Sequence, residues 1–145
     1  MTLVIIDFNG TLYDPESDNL MPGARELLEG LKARGVPMVL LSKRVAGREN
    51  LPAELGIADY FAEMAFVDQK TGLHMLEIIS KHRSTPERTF VIGDYPRSEI
   101  RAGNEAGAFT MHFLGGRYPA MEYESELERP DVQIETLPDA IRYVE

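Results

Sequence analysis

The sequence predicts an α/β fold, a doubly wound parallel sheet with helices on both faces. Three observations predict it. Short apolar runs alternate along the chain with segments of helical periodicity. The runs Val4-Ile5-Ile6 and Phe90-Val91-Ile92 are wholly apolar, as buried strands require. Each then meets a carboxylate and a glycine, Asp7 before the Gly10 turn and Gly93-Asp94. That is the pattern of strand ends that face a ligand crevice.

The elements follow in order. Leu3–Ile6 is a short buried strand, and residues 13–21 form a polar loop rich in Asp, Glu and Asn. Pro22 suits the first position of a helix whose apolar face is Ala24, Leu27, Leu28 and Leu31, ending at Gly35. Val36–Leu41 is a second strand. Residues 44–56 read as a short helix broken by Pro52. Ala65–Val67 is a brief strand, and Leu73, Met75, Leu76 and Ile79 give a helical face over 71–83. Thr89–Ile92 is a strand. Arg97–Ala106 is a helix with Gly107 as its C-cap. Phe109–Phe113 is a strand, followed by a long polar connection over 115–131, read as a surface segment. Val132–Ile134 and a helix over 137–144 close the chain.

At 145 residues the chain is expected to be one domain, 1–145, with no repeat, linker or low-complexity tract. Apolar residues make up 43% and charged residues 27%, ordinary for a globular protein. The formal net charge is -9, which argues against nucleic-acid binding, since that requires a basic footprint. An anionic substrate would need a local positive site. The chain has no Cys, so thiol catalysis and Cys-ligated zinc are excluded. No leader pattern opens the sequence, and no apolar run approaches the ~20 residues of a membrane span. The expected location is the cytoplasm, with no membrane partner.

The chemistry-bearing residues recur at successive strand ends. Asp7 ends the first strand. Ser42 follows Val39-Leu40-Leu41, Lys70 precedes a helix, and Asp94 ends another strand with Glu99 five residues on. The C-terminal edges of a doubly wound sheet converge, so residues distant in sequence can share one crevice. The set suits phosphoryl transfer. A carboxylate nucleophile divides hydrolysis into two easier steps through an aspartyl phosphate. Asp7 and Asp94 can hold Mg²⁺, a hard ion that prefers oxygen ligands. Lys70 can neutralise Asp7 and phosphoryl oxygens, and Ser42 can donate a hydrogen bond to them.

The run Asp7-Phe8-Asn9-Gly10-Thr11 resembles the first motif of the haloacid dehalogenase (HAD) superfamily, Asp-x-Asp-Gly-Thr. Val91-Ile92-Gly93-Asp94 through Gly107 is similar to its fourth motif and following helix, and Pro130 through Leu137 to its last strand and helix. The resemblance covers nearly the whole chain. It implies Asp7 as nucleophile, Ser42 as the second-motif hydroxyl, Lys70 as the third-motif lysine and Asp94 as a metal ligand. It further implies Glu99 near the metal through water, and the main-chain carbonyl of Asn9 as a metal ligand. Roughly thirty residues separate Asp7 from Ser42 and Ser42 from Lys70, which leaves no room for a cap domain. An open site suits a phosphorylated small molecule or macromolecule, or closure by a second copy in a homo-oligomer.

Asn9 departs from the motif. The Asp expected there protonates the leaving oxygen and then activates water, and an amide does neither. General acid–base help is worth about 10²–10⁴-fold. Asn9-Gly10 is also prone to deamidation, which would restore a carboxylate. Two functions compete: an Mg²⁺-dependent phosphomonoester hydrolase weakened at Asn9, and an impaired phospho-ligand or protein-binding module. Asn9 favours the second. The intact Asp7, Lys70 and Asp94 favour the first. A receiver domain is disfavoured because the first strand offers only one acid and Asp68 would have to accept the phosphoryl group. Dehalogenation is disfavoured because an open site has no enclosed halide pocket. Lys43 and Arg44 read as a solvated basic pair, and His74, His82 and His112 as structural or exposed.

Overall fold

The computed structural model describes residues 1–144. Its centre is a six-stranded parallel sheet. In chain order the strands are β1 (Leu3–Asp7), β4 (Met38–Lys43), β5 (Glu63–Val67), β6 (Thr89–Gly93), β7 (Phe109–Phe113) and β8 (Val132–Ile134). A small antiparallel hairpin, β2 (Tyr13–Asp14) and β3 (Asn19–Leu20), lies apart from them. The sheet order is β5-β4-β1-β6-β7-β8. The chain leaves β1 toward β4 and β5, then crosses back to β6 on the other side. The direction of winding thus reverses beside β1, and a crevice opens at the C-terminal ends of β1 and β6.

Period-two alternation along β1 feeds two cores. Val4 and Ile6 pack with Leu27, Leu28 and Leu31 of α1 (Ala24–Ala33) on one face. Leu3 and Ile5 pack with Met75, Ile78 and Ile79 of α3 (Gly72–Lys81) and with Ala102 and Ala106 of α4 (Arg101–Ala106) on the other. Helices therefore cover both faces, as the sequence predicts. No cap domain interrupts the core among the described residues.

Several local readings need correction. Pro22 is not the first helical residue; it lies in the turn before α1, and the left-handed Gly23 takes the N-cap place. Pro52 does not interrupt a helix. It sits in the first turn of α2 (Leu51–Glu54), where its missing N–H costs nothing. The face of α3 is rotated: Met75, Ile78 and Ile79 are buried, while Leu73 is 66% and Leu76 43% exposed. Apolar residues occur on several sides of this helix, so periodicity alone does not fix its phase. Thr71 caps it by accepting a hydrogen bond from the His74 N–H at 3.1 Å. The polar loop after β1 contains the β2–β3 hairpin, with the Phe8 and Tyr13 rings stacked at 5.2 Å. The closing helix is a 3₁₀ helix over Leu137–Tyr143, begun by the Thr136 N–H donating to the Asp139 carboxylate.

The predicted helix over 97–106 opens instead with one wide π turn, Pro96–Ile100, before α4. Such turns are rare and recur at functional sites. Here the turn carries Glu99 inward, directly beneath Gly93, where a Cβ would lie 2.1 Å from Glu99 Cγ. The 115–131 connection lies against the body of the protein. His112 pairs with the Tyr123 hydroxyl at 2.7 Å and with the Tyr118 carbonyl at 3.0 Å. Buried Glu128 faces Arg97 and Arg101 at 3.7 and 3.9 Å.

Candidate active site

Asp7 is the last residue of β1 and only 5% exposed. A tight turn follows: the N–H groups of Thr11, Leu12 and Tyr13 all point to the Phe8 carbonyl. This turn requires Gly10, whose φ is +82°. It also brings the Thr11 hydroxyl back to donate to Asp7 Oδ2 at 2.9 Å. Lys70, at the start of the α3 segment, donates to Asp7 Oδ1 and to Glu99 Oε1, the latter at 3.1 Å. Glu99 Oε2 accepts the Tyr95 N–H at 2.8 Å. Asp94, just beyond β6, accepts the Arg117 N–H on Oδ2 at 3.0 Å.

Asp7, Asp94 and Glu99 each offer one oxygen, and these oxygens lie within 4.8 Å of one another. All three carboxylates are buried, and Lys70 is the ammonium paired with Asp7 and Glu99. The electrostatics follow from that surplus of negative charge. Burial, then the charges of Asp7 and Glu99, push the Asp94 carboxyl up to about 8. Burial and the charge of Asp7 likewise raise Glu99, against the opposing pull of Lys70. Burial disfavours the Lys70 charge, but Asp7 and Glu99 outweigh it and hold its pKa above the usual lysine value. Fully ionised, the three carboxylates against Lys70 and the Arg117 guanidinium leave a net negative charge. A divalent cation with a taste for carboxylate oxygen fits that deficit, so the donor set matches Mg²⁺.

The cluster forms the floor of an open cleft of about 470 Å³. Asn9 reaches the same cleft. Lys43 and Arg48 also line it, with Tyr95, Arg97, Arg117 and Tyr118 contributed by the π turn and the 115–131 connection. The structure thus brings together Asp7, Asn9, Lys70, Asp94 and Glu99. It does not bring Ser42 to the cleft wall: that side chain is buried and its hydroxyl donates to the Lys43 carbonyl at 3.3 Å. Glu99, which could equally have been a solvated helix residue, is 2% exposed. Asp68 is 86% exposed at its side chain and pairs with Arg44 at 3.5 Å. No histidine lines the cleft; His82 pairs with Glu63 at 2.7 Å and burial lowers the pKa of His112.

Sequence reasoning missed Arg48, Arg117, Tyr95 and Tyr118. A signal existed for Arg117. Gly115-Gly116 follows the end of a strand in a doubly wound sheet, and such positions face the crevice. Gly116 packs so closely that a Cβ would meet the Gly10 carbonyl oxygen at 2.4 Å, which delivers the next residue to Asp94.

Comparisons with known proteins agree with this architecture. The family described as HAD-hydrolase-like matches residues 70–140. An uncharacterised protein from Listeria monocytogenes serotype 4b superposes with a TM-score of 0.83, at 19% identity, over 99% of this chain and 96% of that one. A protein from Haemophilus somnus described as a predicted phosphoglycolate phosphatase gives 0.75 at 20% identity, over 86% of this chain and 57% of that one. A HAD-hydrolase from Bacillus subtilis, solved bound to magnesium, gives 0.73 at 17% identity, over 87% and 56%. The chain therefore spans little more than half the length of the last two. No curated protein sequence matches it. The family match over residues 70–140 and the fold shared along the whole chain identify a HAD-like core, with no cap domain inserted among the described residues.

Proposed function

We propose that the protein is a Mg²⁺-dependent phosphohydrolase that works through an aspartyl phosphate on Asp7. One observation carries the reading: a buried carboxylate at a strand end is held by Lys70 and Thr11, with Asp94 and Glu99 oxygens within 4.8 Å. Asp7, Asp94 and the Asn9 carbonyl would hold the ion, with Glu99 supporting it. When bound, it would neutralise charge on the carboxylates and the phosphoryl group.

The chain's own residues account for the rest. Lys70 holds Asp7 through its Oδ1 contact, and the Asp7 carboxylate is the group that attacks phosphorus. The Asp7 oxygen forms a bond to phosphorus while the leaving oxygen departs. Water then displaces Asp7 from phosphorus and regenerates the carboxylate. Lys70 also offers positive charge to the phosphoryl oxygens as it spreads through the transition state. The Asn9 amide can donate and accept hydrogen bonds but gives up no proton, so the leaving oxygen departs without a proton from this position. Ser42 would reach the phosphoryl group only after releasing the Lys43 carbonyl.

The test is hydrolysis of an activated aryl phosphate with Mg²⁺ and with chelator. Mg²⁺-dependent turnover that vanishes in Asp7→Asn supports the enzyme. Asn9 favours a second reading, a phospho-ligand or protein-binding module built on the same cluster. That reading gains if the native chain is silent and only Asn9→Asp turns over.

A further inference from the structure

We infer that the substrate is an organic diphosphate, cleaved at its terminal phosphoanhydride, rather than the phosphate ester of an alcohol. The inference rests on the phosphohydrolase reading and names its substrate class. Two independent observations lead to it. The first is Asn9 on the cleft floor. An alcohol leaving group has a pKa near that of water, about 16, and needs a proton that an amide cannot give. A phosphomonoester dianion has a conjugate acid of pKa about 6 and departs without one.

The second observation is the placement of cations. The protein carries a net charge of -9, yet Lys43, Arg48, Arg97 and Arg117 all border one cleft. Lys70 already serves the carboxylate cluster, Arg97 faces Glu124 and Glu128, and Arg117 faces Asp94. Among the described residues, Lys43 and Arg48 make no salt bridge at all. Arg48 is half-buried, and burial lowers its pKa while its charge is felt by both Asp7 and Arg117. Holding a partly desolvated guanidinium without a carboxylate partner is unfavourable unless an anion joins it. Arg117 lines the same cleft, its Nε 3.9 Å from Asp94 Oδ2. A single phosphoryl group at Asp7 is served by Lys70 and the cluster. Two further guanidiniums in the same cleft, Arg48 and Arg117, suit a second phosphate, which Arg binds bidentately. That second phosphate is the leaving group.

The step balances. An Asp7 oxygen bonds to the terminal phosphorus, and the bond from phosphorus to the bridging oxygen breaks. The electron pair stays on the bridging oxygen, which leaves as part of a phosphomonoester dianion held by Arg48 and Arg117. Water then adds to phosphorus, the Asp7–phosphorus bond breaks, and one water proton passes to solvent.

Two matched pairs test it, ADP against AMP and isopentenyl diphosphate against isopentenyl phosphate, with an aryl phosphate as a third arm. The expected result is that at least one diphosphate exceeds its monophosphate by about 10²-fold or more in kcat/KM. Asn9→Asp should raise the monophosphates far more than the diphosphates. Arg48→Gln and Arg117→Gln should lose about tenfold more on the diphosphate than on the aryl ester. A binding readout stands beside these. In Asp7→Asn with Mg²⁺, calorimetry should show the α,β-methylene analogue of ADP binding at least about tenfold tighter than AMP, and Arg48→Gln should erase the difference. If the aryl and alkyl esters turn over as fast as both diphosphates, the diphosphate assignment falls and the phosphohydrolase stands. If nothing turns over and Asp7→Asn changes nothing, both fall.

Discussion

Replacing Lys70 with Met removes the ammonium paired with two buried carboxylates, Asp7 and Glu99, while keeping the volume of its stem. Lys70 is 5% exposed at its side chain and touches both Asp7 and Glu99. Breaking a buried ion pair by deleting one partner costs about 3–5 kcal/mol, because a charge is left unpaired. For a domain of this size each kcal/mol shifts Tm by roughly 2–4 °C, so the expected loss is on the order of 10 °C. The loss must depend on pH. The folded-state pKa values of Asp94, about 8, and Glu99 lie above their ordinary ones, so the folded protein binds protons more tightly than the unfolded chain. Stability therefore falls as pH rises from the ordinary carboxylate range toward 8. Lys70 resists that fall, since its own raised pKa keeps it charged throughout. Thermal unfolding in chelator, followed by circular dichroism, should show a small gap between native and Lys70→Met at pH 5 and the full gap at pH 9. A gap under about 1 kcal/mol, or one equal at both pH values, would refute the idea that Lys70 neutralises the cluster.

Three further outcomes are expected. Mg²⁺ should raise Tm more at pH 8.5 than at pH 6, because below about 8 it must displace the proton on Asp94; equal shifts would place the ion elsewhere. Gly10→Ala should cost more than about 1 kcal/mol, since φ is +82° and a Cβ would lie 2.3 Å from Asp94 Oδ2; urea titration measures it, and a neutral variant would mean that the turn relaxes freely. Met75→Ala should cost about 2–5 kcal/mol and Leu73→Ala within about 0.5, as burial of the one and exposure of the other require. The reverse order would refute the burial of Met75 and the exposure of Leu73.

The parts legible in the sequence were those fixed by local chemistry. β1 and β6 are runs that can only be buried, and the carboxylates at their ends could be placed because parallel strands bring their C-terminal ends to one edge. Lys70 was legible by its position before a helix. The phase of α3 was not, because Leu73 and Leu76 compete with Ile78 for the core and only the opposing strands decide. The π turn at Pro96–Ile100 was also hidden. Its width is set by the need to seat Glu99 under Gly93 and against Lys70, contacts that no local propensity records. Arg48 and Arg117 lie in connections whose course is dictated by tertiary packing, so their approach to Asp7 left little trace in spacing.

The hydrogen bond from the Arg117 N–H to Asp94 has a consequence for how the protein ages and is degraded. It is a main-chain bond, so no side-chain substitution at position 117 other than proline removes it. It makes the connection over 115–131 and the acidic cluster one thermodynamic unit. Whatever sits beside Asp94 also sets the cost of peeling that connection away, and by reciprocity anything that grips the connection would tighten the hold of Asp94 on a bound cation. A cation held there would accordingly be expected to slow protease cleavage within 115–131.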